Sequence, residues 1–74
     1  MKFTIRGEHI ALDALLKATG VAPSGGAARA LIDAGEVRVD GKVETRRRCK
    51  LRAGQEVRVV GAERIVLEGD APPA

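Results

Sequence analysis

The spacing of apolar residues changes period twice along this chain, and each change predicts a different kind of element. Lys2-Phe3-Thr4-Ile5 alternates polar and apolar positions, which predicts a short first strand. Arg6-Gly7-Glu8-His9 reads as a connection. From Ile10 to Thr19 the spacing is helical: Leu12, Leu15 and Leu16 share a face, Lys17 lies off it, and Gly20 is a suitable stop. Val21-Ala22-Pro23 reads as a linker. Ser24 is a good N-cap, and Ala28, Leu31 and Ile32 then repeat at i, i+3, i+4 before Gly35. A second helix from Ser24 to Ala34 is expected. Its first turn holds Gly25 and Gly26, each of which costs about 1 kcal/mol of helix propensity relative to Ala.

After Gly35 the period becomes two. Val37 and Val39 flank Arg38, and Asp40-Gly41 is a turn signal. A tight two-residue turn would pair Val39 with Lys42 and leave Val43 on the face away from the core, so a looser turn is expected. Cys49 and Leu51 alternate with Arg48, Lys50 and Arg52; Ala53-Gly54-Gln55 is a further turn; Val57 and Val59 flank Arg58, and Ile65 and Leu67 flank Val66. The segment from Gly69 to Ala74, with Pro72 and Pro73, is expected to be a disordered tail. No internal repeat is present. The expected class is α+β: two short helices packed on a small, mostly antiparallel sheet, in one domain over residues 1–68. Neither the strand–helix alternation nor the length of a nucleotide-binding domain is there.

Composition narrows the function classes. A chain of 74 residues buries only about 60% of its unfolded surface. Phe3 is the one aromatic residue, so aliphatic side chains must build the core. One cysteine forms no internal disulfide, and Cys49 fits a reducing, cytoplasmic setting. No apolar run approaches the roughly 18 residues of a membrane span, and no apolar stretch near the N-terminus resembles a secretory signal. With a single Phe, stacking of single strands on an aromatic sheet is excluded, so any RNA would be read through its backbone and shape.

Charge is concentrated in one region. The formal net charge is +3, and between Arg38 and Arg58 there are eight Lys or Arg against three acids, Asp40, Glu44 and Glu56. Within it, Lys42, Arg46, Arg47, Arg48, Lys50 and Arg52 face one acid, Glu44. A charge run is commonly no more than a solvated face. One this unbalanced points instead to a polyanion, and the predominance of arginine suits bidentate phosphate contacts. The Ser24-Gly25-Gly26 start of the second helix offers free N–H groups and room for a phosphate to approach, against the plainer reading of a capped but poorly formed first turn.

These pieces, in order, resemble a known family. Leu12-Asp13-x-x-Leu16-Lys17 with Gly20, Ser24-Gly25-Gly26-Ala27-Ala28-Arg29, Gly35-x-Val37-x-Val39-Asp40-Gly41, and Ala53-Gly54-Gln55-x-Val57 are similar to the RNA-binding domain named after small-subunit ribosomal protein four, also called the alpha-L motif. The Ser-Gly helix start and the Glu44-Thr45-Arg46-x-Arg48-Cys49-Lys50 run resemble its stand-alone bacterial members of the YbcJ type. The resemblance covers residues 12–59. It implies that the second helix and the following hairpin form one L-shaped surface docking on structured RNA, with Ser24, Arg29, Arg38 and Lys42 on that surface. Many members carry a basic residue directly after the capping serine, where this chain has Gly25, and Arg before the Leu-Asp pair, where it has Ala11.

The expected RNA-binding set is therefore Ser24, Gly25, Gly26, Arg29, Arg38, Lys42, Arg46, Arg47, Arg48 and Lys50. For Arg29 the competing reading is an intrahelical pair with Asp33 at i+4. Cys49 is expected to point inward, His9 to be a lone surface histidine, and Glu8 and Asp13 to favour the dipole at the start of the first helix. No nucleophile–base pair or metal-ligand spacing is visible. The reading is of a non-catalytic, cytoplasmic, monomeric protein without cofactor that grips the backbone of structured RNA (ribosomal or transfer RNA, with the ribosome as a further partner) and engages no membrane. The main alternative is an adaptor whose basic face docks an acidic surface of a ribosome-associated protein. A sulfur carrier is disfavoured by the Pro72-Pro73-Ala74 end, and an RNA-modifying enzyme by length.

Overall fold

Alternating valines build the centre of the sheet. In the computed structural model, which describes residues 1–69, β3 (Val37–Val39) and β6 (Glu56–Val59) pair antiparallel with Val37 opposite Val59 and Val39 opposite Val57. This register puts the valines on the inner face and Arg38 opposite Arg58 on the outer face. β1 (Lys2–Ile5), β4 (Lys42–Val43) and β7 (Ile65–Gly69) complete a mixed sheet in the order β1-β7-β6-β3-β4, with only the β1–β7 pair parallel. Two helices, α1 (Leu12–Ala18) and α2 (Gly25–Asp33), supply the rest of an α+β fold.

Leu12, Leu15 and Leu16 from α1 and Ala28 and Ile32 from α2 are fully buried with Ile5, Val37, Val57, Ile65 and Leu67 of the sheet. The apolar stripes read from the helical spacing are therefore the buried faces. Ala22, in the segment expected to be a linker, is also buried, and its N–H donates to the Leu16 carbonyl at 3.0 Å. The link between the helices is thus part of the core.

Three expectations are corrected. The first helix does not begin at Ile10: Ile10–Ala11 forms a strand, β2, paired antiparallel with β5 (Lys50–Leu51) in a separate ribbon. The helix starts at Leu12, where the chain leaves that ribbon. The hairpin turn is not loose. Val39 pairs with Lys42 and Arg38 with Val43 across Asp40 (φ 51°) and Gly41 (φ 85°), a two-residue turn with both φ positive. Val43 is left 52% exposed, as that register requires. The turn prevails because Asp40 is tied to the neighbouring strand: its carboxylate accepts from the Glu56 N–H (3.0 Å) and Gln55 Nε2 (3.2 Å), and its N–H donates to the Glu56 carbonyl (2.8 Å). Gly69, expected in the tail, instead ends β7 opposite Ile5; residues 70–74 lie outside the described residues.

Candidate nucleic-acid interface

The arginine run occupies the loop between β4 and β5, and main-chain hydrogen bonds hold it in place. The first N–H groups of a helix have no intrahelical partner, and Ala11, the residue capping α1, provides no side-chain acceptor. The loop fills the gap: Leu12 N–H donates to the Cys49 carbonyl (2.9 Å) and Asp13 N–H to the Arg47 carbonyl (3.0 Å). Asp13 Oδ1 accepts from the Ala14 N–H at 2.8 Å. A turn closed by Cys49 N–H on the Arg46 carbonyl (3.2 Å) completes the loop.

The three arginines differ in their surroundings. Arg46 donates through Nε (3.1 Å) and Nη2 (2.9 Å) to the two oxygens of Glu44, whose Oε2 also accepts from the Arg46 N–H at 3.0 Å. These bonds hold the Glu44 carboxyl down at about 2, against an ordinary 4.5. Arg47 makes a bidentate pair with Asp33, Nε to Oδ1 at 3.2 Å and Nη2 to Oδ2 at 2.7 Å, which lowers the pKa of Asp33. Arg48 has no carboxylate partner among the described residues. The picture of uncompensated bases is thus corrected for two of the three. Arg46, Arg48, Cys49 and Lys50 line an open groove of about 490 Å³, and Arg47 is not part of its wall.

Cys49 is half-buried against the core; burial, ahead of hydrogen bonding and charge from Glu44, pushes its thiol pKa up despite the nearby Arg46. The Arg29–Asp33 pair weighed from the sequence makes no hydrogen bond; Asp33 is engaged by Arg47, and Arg29 acts on it only as a nearby charge. Arg29 and Asp33 are four residues apart and share a helix face, so Arg29 borders the arginine loop.

At the other end of α2, Ser24 Oγ accepts from the Ala27 N–H at 3.1 Å, closing the expected cap. Neither Gly25 nor Gly26 is required by the fold: neither has a positive φ, a Cβ at Gly25 would meet nothing within 4 Å, and one at Gly26 only Ser24 Oγ at 3.9 Å. The helix spans on the order of 13 Å between Ser24 and Asp33 at 1.5 Å per residue. Glycines, Arg29 and the loop thus follow one another along it.

The hairpin divides its two cations. Lys42 stands opposite Val39, on the side of the sheet that carries the core, and is exposed. Arg38 pairs with Val43 and points from the outer face. The two therefore do not project from the same hairpin face, and Arg38 lies across the short edge strand β4 from the helix side. Arg29, Arg38, Lys42, Arg48 and Lys50 make no ion pair among the described residues, whereas Lys2 is paired with Glu68 and both Arg58 and Arg64 with Glu56. Among the described residues Arg6, Lys17 and Arg52 also make no ion pair. Arg52, adjoining Lys50 and Leu51, belongs with the candidate surface and was left out of the expected set, though its place in the alternating run was a signal for it. Glu44 was a signal too: it lies two residues from Arg46 and takes that guanidinium. The Asp33–Arg47 pair, 14 residues apart, has no local signature.

Among the described residues no helix is long and apolar enough to cross a membrane, and no group of His, Cys, Asp and Glu is arranged to hold a metal. Comparison with known proteins gives consistent results. The S4 domain family profile matches residues 3–67. YbcJ of Escherichia coli (strain K12) and YbcJ of Shigella flexneri are each 51% identical over 53 residues, covering 72% of this chain and 76% of theirs. The solution structure of YbcJ from E. coli, described as revealing an alphaL motif involved in RNA binding, superposes with a TM-score of 0.67 at 43% identity, over 88% of this chain and 85% of that one.

Proposed function

The chain belongs to the S4 domain family, and from that premise we propose that it is a non-catalytic RNA-binding protein. It grips the phosphate backbone of folded RNA, ribosomal or transfer RNA being the class, as a monomer in the cytoplasm and without a cofactor. The observation that carries this reading is the uneven ion pairing. Among the described residues Arg29, Lys42, Arg48 and Lys50, along α2, the hairpin tip and the loop, make no ion pair, while Lys2 and Arg58 on the sheet and Arg64 just before β7 each lie within 4 Å of a carboxylate; Arg6 and Lys17 are the unpaired cations outside this surface. Unpaired cations on a pinned loop are set to displace counterions from a polyanion at little ordering cost.

In this reading Arg48 and Lys50 bind phosphates in the groove, joined by Arg46 through Nη1, the guanidinium nitrogen that Glu44 leaves unused. Ser24, Gly25 and Gly26 bring a further phosphate onto the N–H groups of α2. Arg29 lies between these two ends, and Arg38 reaches the RNA only around the β4 edge. Arginine planes, not aromatic rings, stack on any exposed base.

The test is fluorescence anisotropy with a folded ribosomal RNA hairpin, duplex DNA and single-stranded RNA across a salt series. Arg48→Ala with Lys50→Ala should weaken binding to the folded RNA and flatten the log–log salt dependence by about 0.7–0.9 per lost phosphate contact. Equal, weak binding of all three nucleic acids by wild type and variant would overturn the reading and favour docking on an acidic protein surface, which nuclease-treated pull-downs would then address.

A further inference from the structure

Three consecutive arginines look like one basic patch, yet the middle one is turned to a different task. We infer that Arg47 is a positioning residue: its pair with Asp33 clamps the arginine loop to the end of α2 and fixes the angle between the helix and the loop. This inference rests on the RNA-binding reading above and assigns a distinct role within that surface.

Three observations carry it. The pair is bidentate (2.7 and 3.2 Å) and joins two elements 14 residues apart, whereas Arg46 is held by Glu44 of its own loop. Asp33 is the last residue of α2, a helix with no basic residue in its final turn. A carboxylate there opposes the partial negative charge of the helix end, and Arg47 supplies the missing cation from outside the helix. The Arg47 carbonyl also accepts from the Asp13 N–H (3.0 Å), so this one residue holds α1 through its main chain and α2 through its side chain. The groove wall accordingly contains Arg46 and Arg48 but not Arg47. Both partners are about half exposed, so the clamp sets geometry more than overall stability.

Asp33→Ala distinguishes the two roles by the sign of the effect. The substitution removes a negative charge, improves helix propensity and releases Arg47. If Arg47 were a phosphate contact held back by Asp33, binding to the folded RNA hairpin would tighten and its salt dependence would steepen. As a positioning residue, losing its partner should weaken binding roughly two- to fivefold with the salt slope unchanged. The exchanged pair, Asp33→Arg with Arg47→Asp, should restore wild-type affinity. Hydrogen exchange at the Asp13 N–H provides a readout without RNA, and Asp33→Ala should speed it. Tighter binding by Asp33→Ala, failure of the exchanged pair to restore affinity, or unchanged Asp13 exchange each overturns the clamp. Absence of RNA binding by the wild type would instead overturn the reading it rests on, and Asp13 exchange would still decide whether the clamp exists.

Discussion

Glu44 shows how one residue's chemistry follows from its neighbours. Its carboxylate accepts from the Arg46 side chain and from the Arg46 N–H, and its pKa falls from 4.5 to about 2. The folded chain thus takes up this proton less readily than the unfolded chain. The stabilisation from Glu44 is fully present above pH 4.5 and is lost as pH falls from about 4.5 to about 2. Carboxyl titration by NMR should find Glu44 at about 2 in the wild type and raised in Arg46→Ala, which removes the guanidinium but keeps the main-chain N–H of residue 46. A Glu44 that titrates identically in both proteins would contradict the pairing. In the sequence Glu44 stood out only as the one acid among six bases; its pairing with Arg46 became visible in the folded loop. The raised pKa of Cys49 was not legible in the chain either, since it depends on how deeply the loop packs against the core.

At the scale of elements, the start of α2 separates stability from binding. Ser24→Ala removes the acceptor of the Ala27 N–H and should cost about 1 kcal/mol in chemical denaturation. Gly25→Ala and Gly26→Ala act in the opposite direction. No neighbour lies closer than 3.9 Å to the added Cβ and neither backbone is left-handed, so each should raise stability by up to about 1 kcal/mol. If the proposed phosphate contact at the helix start is made, the same changes should weaken RNA binding, because a methyl group would stand in its path. Gain of stability with undiminished RNA affinity would remove the helix start from the binding surface. The β3–β4 hairpin shows where a pattern misleads. Placing Val43 in the core argued for a loose turn, but Asp40-Gly41 chemistry and the Asp40 bonds to Gln55 and Glu56 outweighed burial of one valine.

The whole molecule depends on a small core that few residues can leave without loss. Leu51 is fully buried and carries the β2–β5 ribbon onto the main cluster, although its strand is no part of the five-stranded sheet. Leu51→Ala should cost about 2–5 kcal/mol, a large share of the stability of a chain this size, visible as a lowered denaturant midpoint. A loss under 1 kcal/mol would mean that the ribbon does not depend on this contact. Because the ribbon also leads into α1, the arginine loop is anchored by the same packing that closes the core.

Periodicity alone located both helices and the strands that meet at Val37, Val57, Ile65 and Leu67, because burial of an amphipathic face enforces a local repeat. Cap chemistry at Ser24 was legible for the same reason, since it acts within a few residues; at Asp40-Gly41 the turn signal was visible too, but the expected burial of Val43 argued for a looser turn and the tight one formed. Other features required the folded chain. Ile10 and Ala11 pair with a strand some 40 residues later, and this shortens the first helix. Arg38 and Lys42 are separated by strand register. Arg47 differs from Arg46 and Arg48 because Asp33 is brought to it from another element. The sequence by itself determined which residues are apolar, basic or turn-forming, and where the period changes. Only the tertiary structure decided which cations meet a carboxylate, because ion pairing depends on distances of a few ångströms between segments that no local repeat connects.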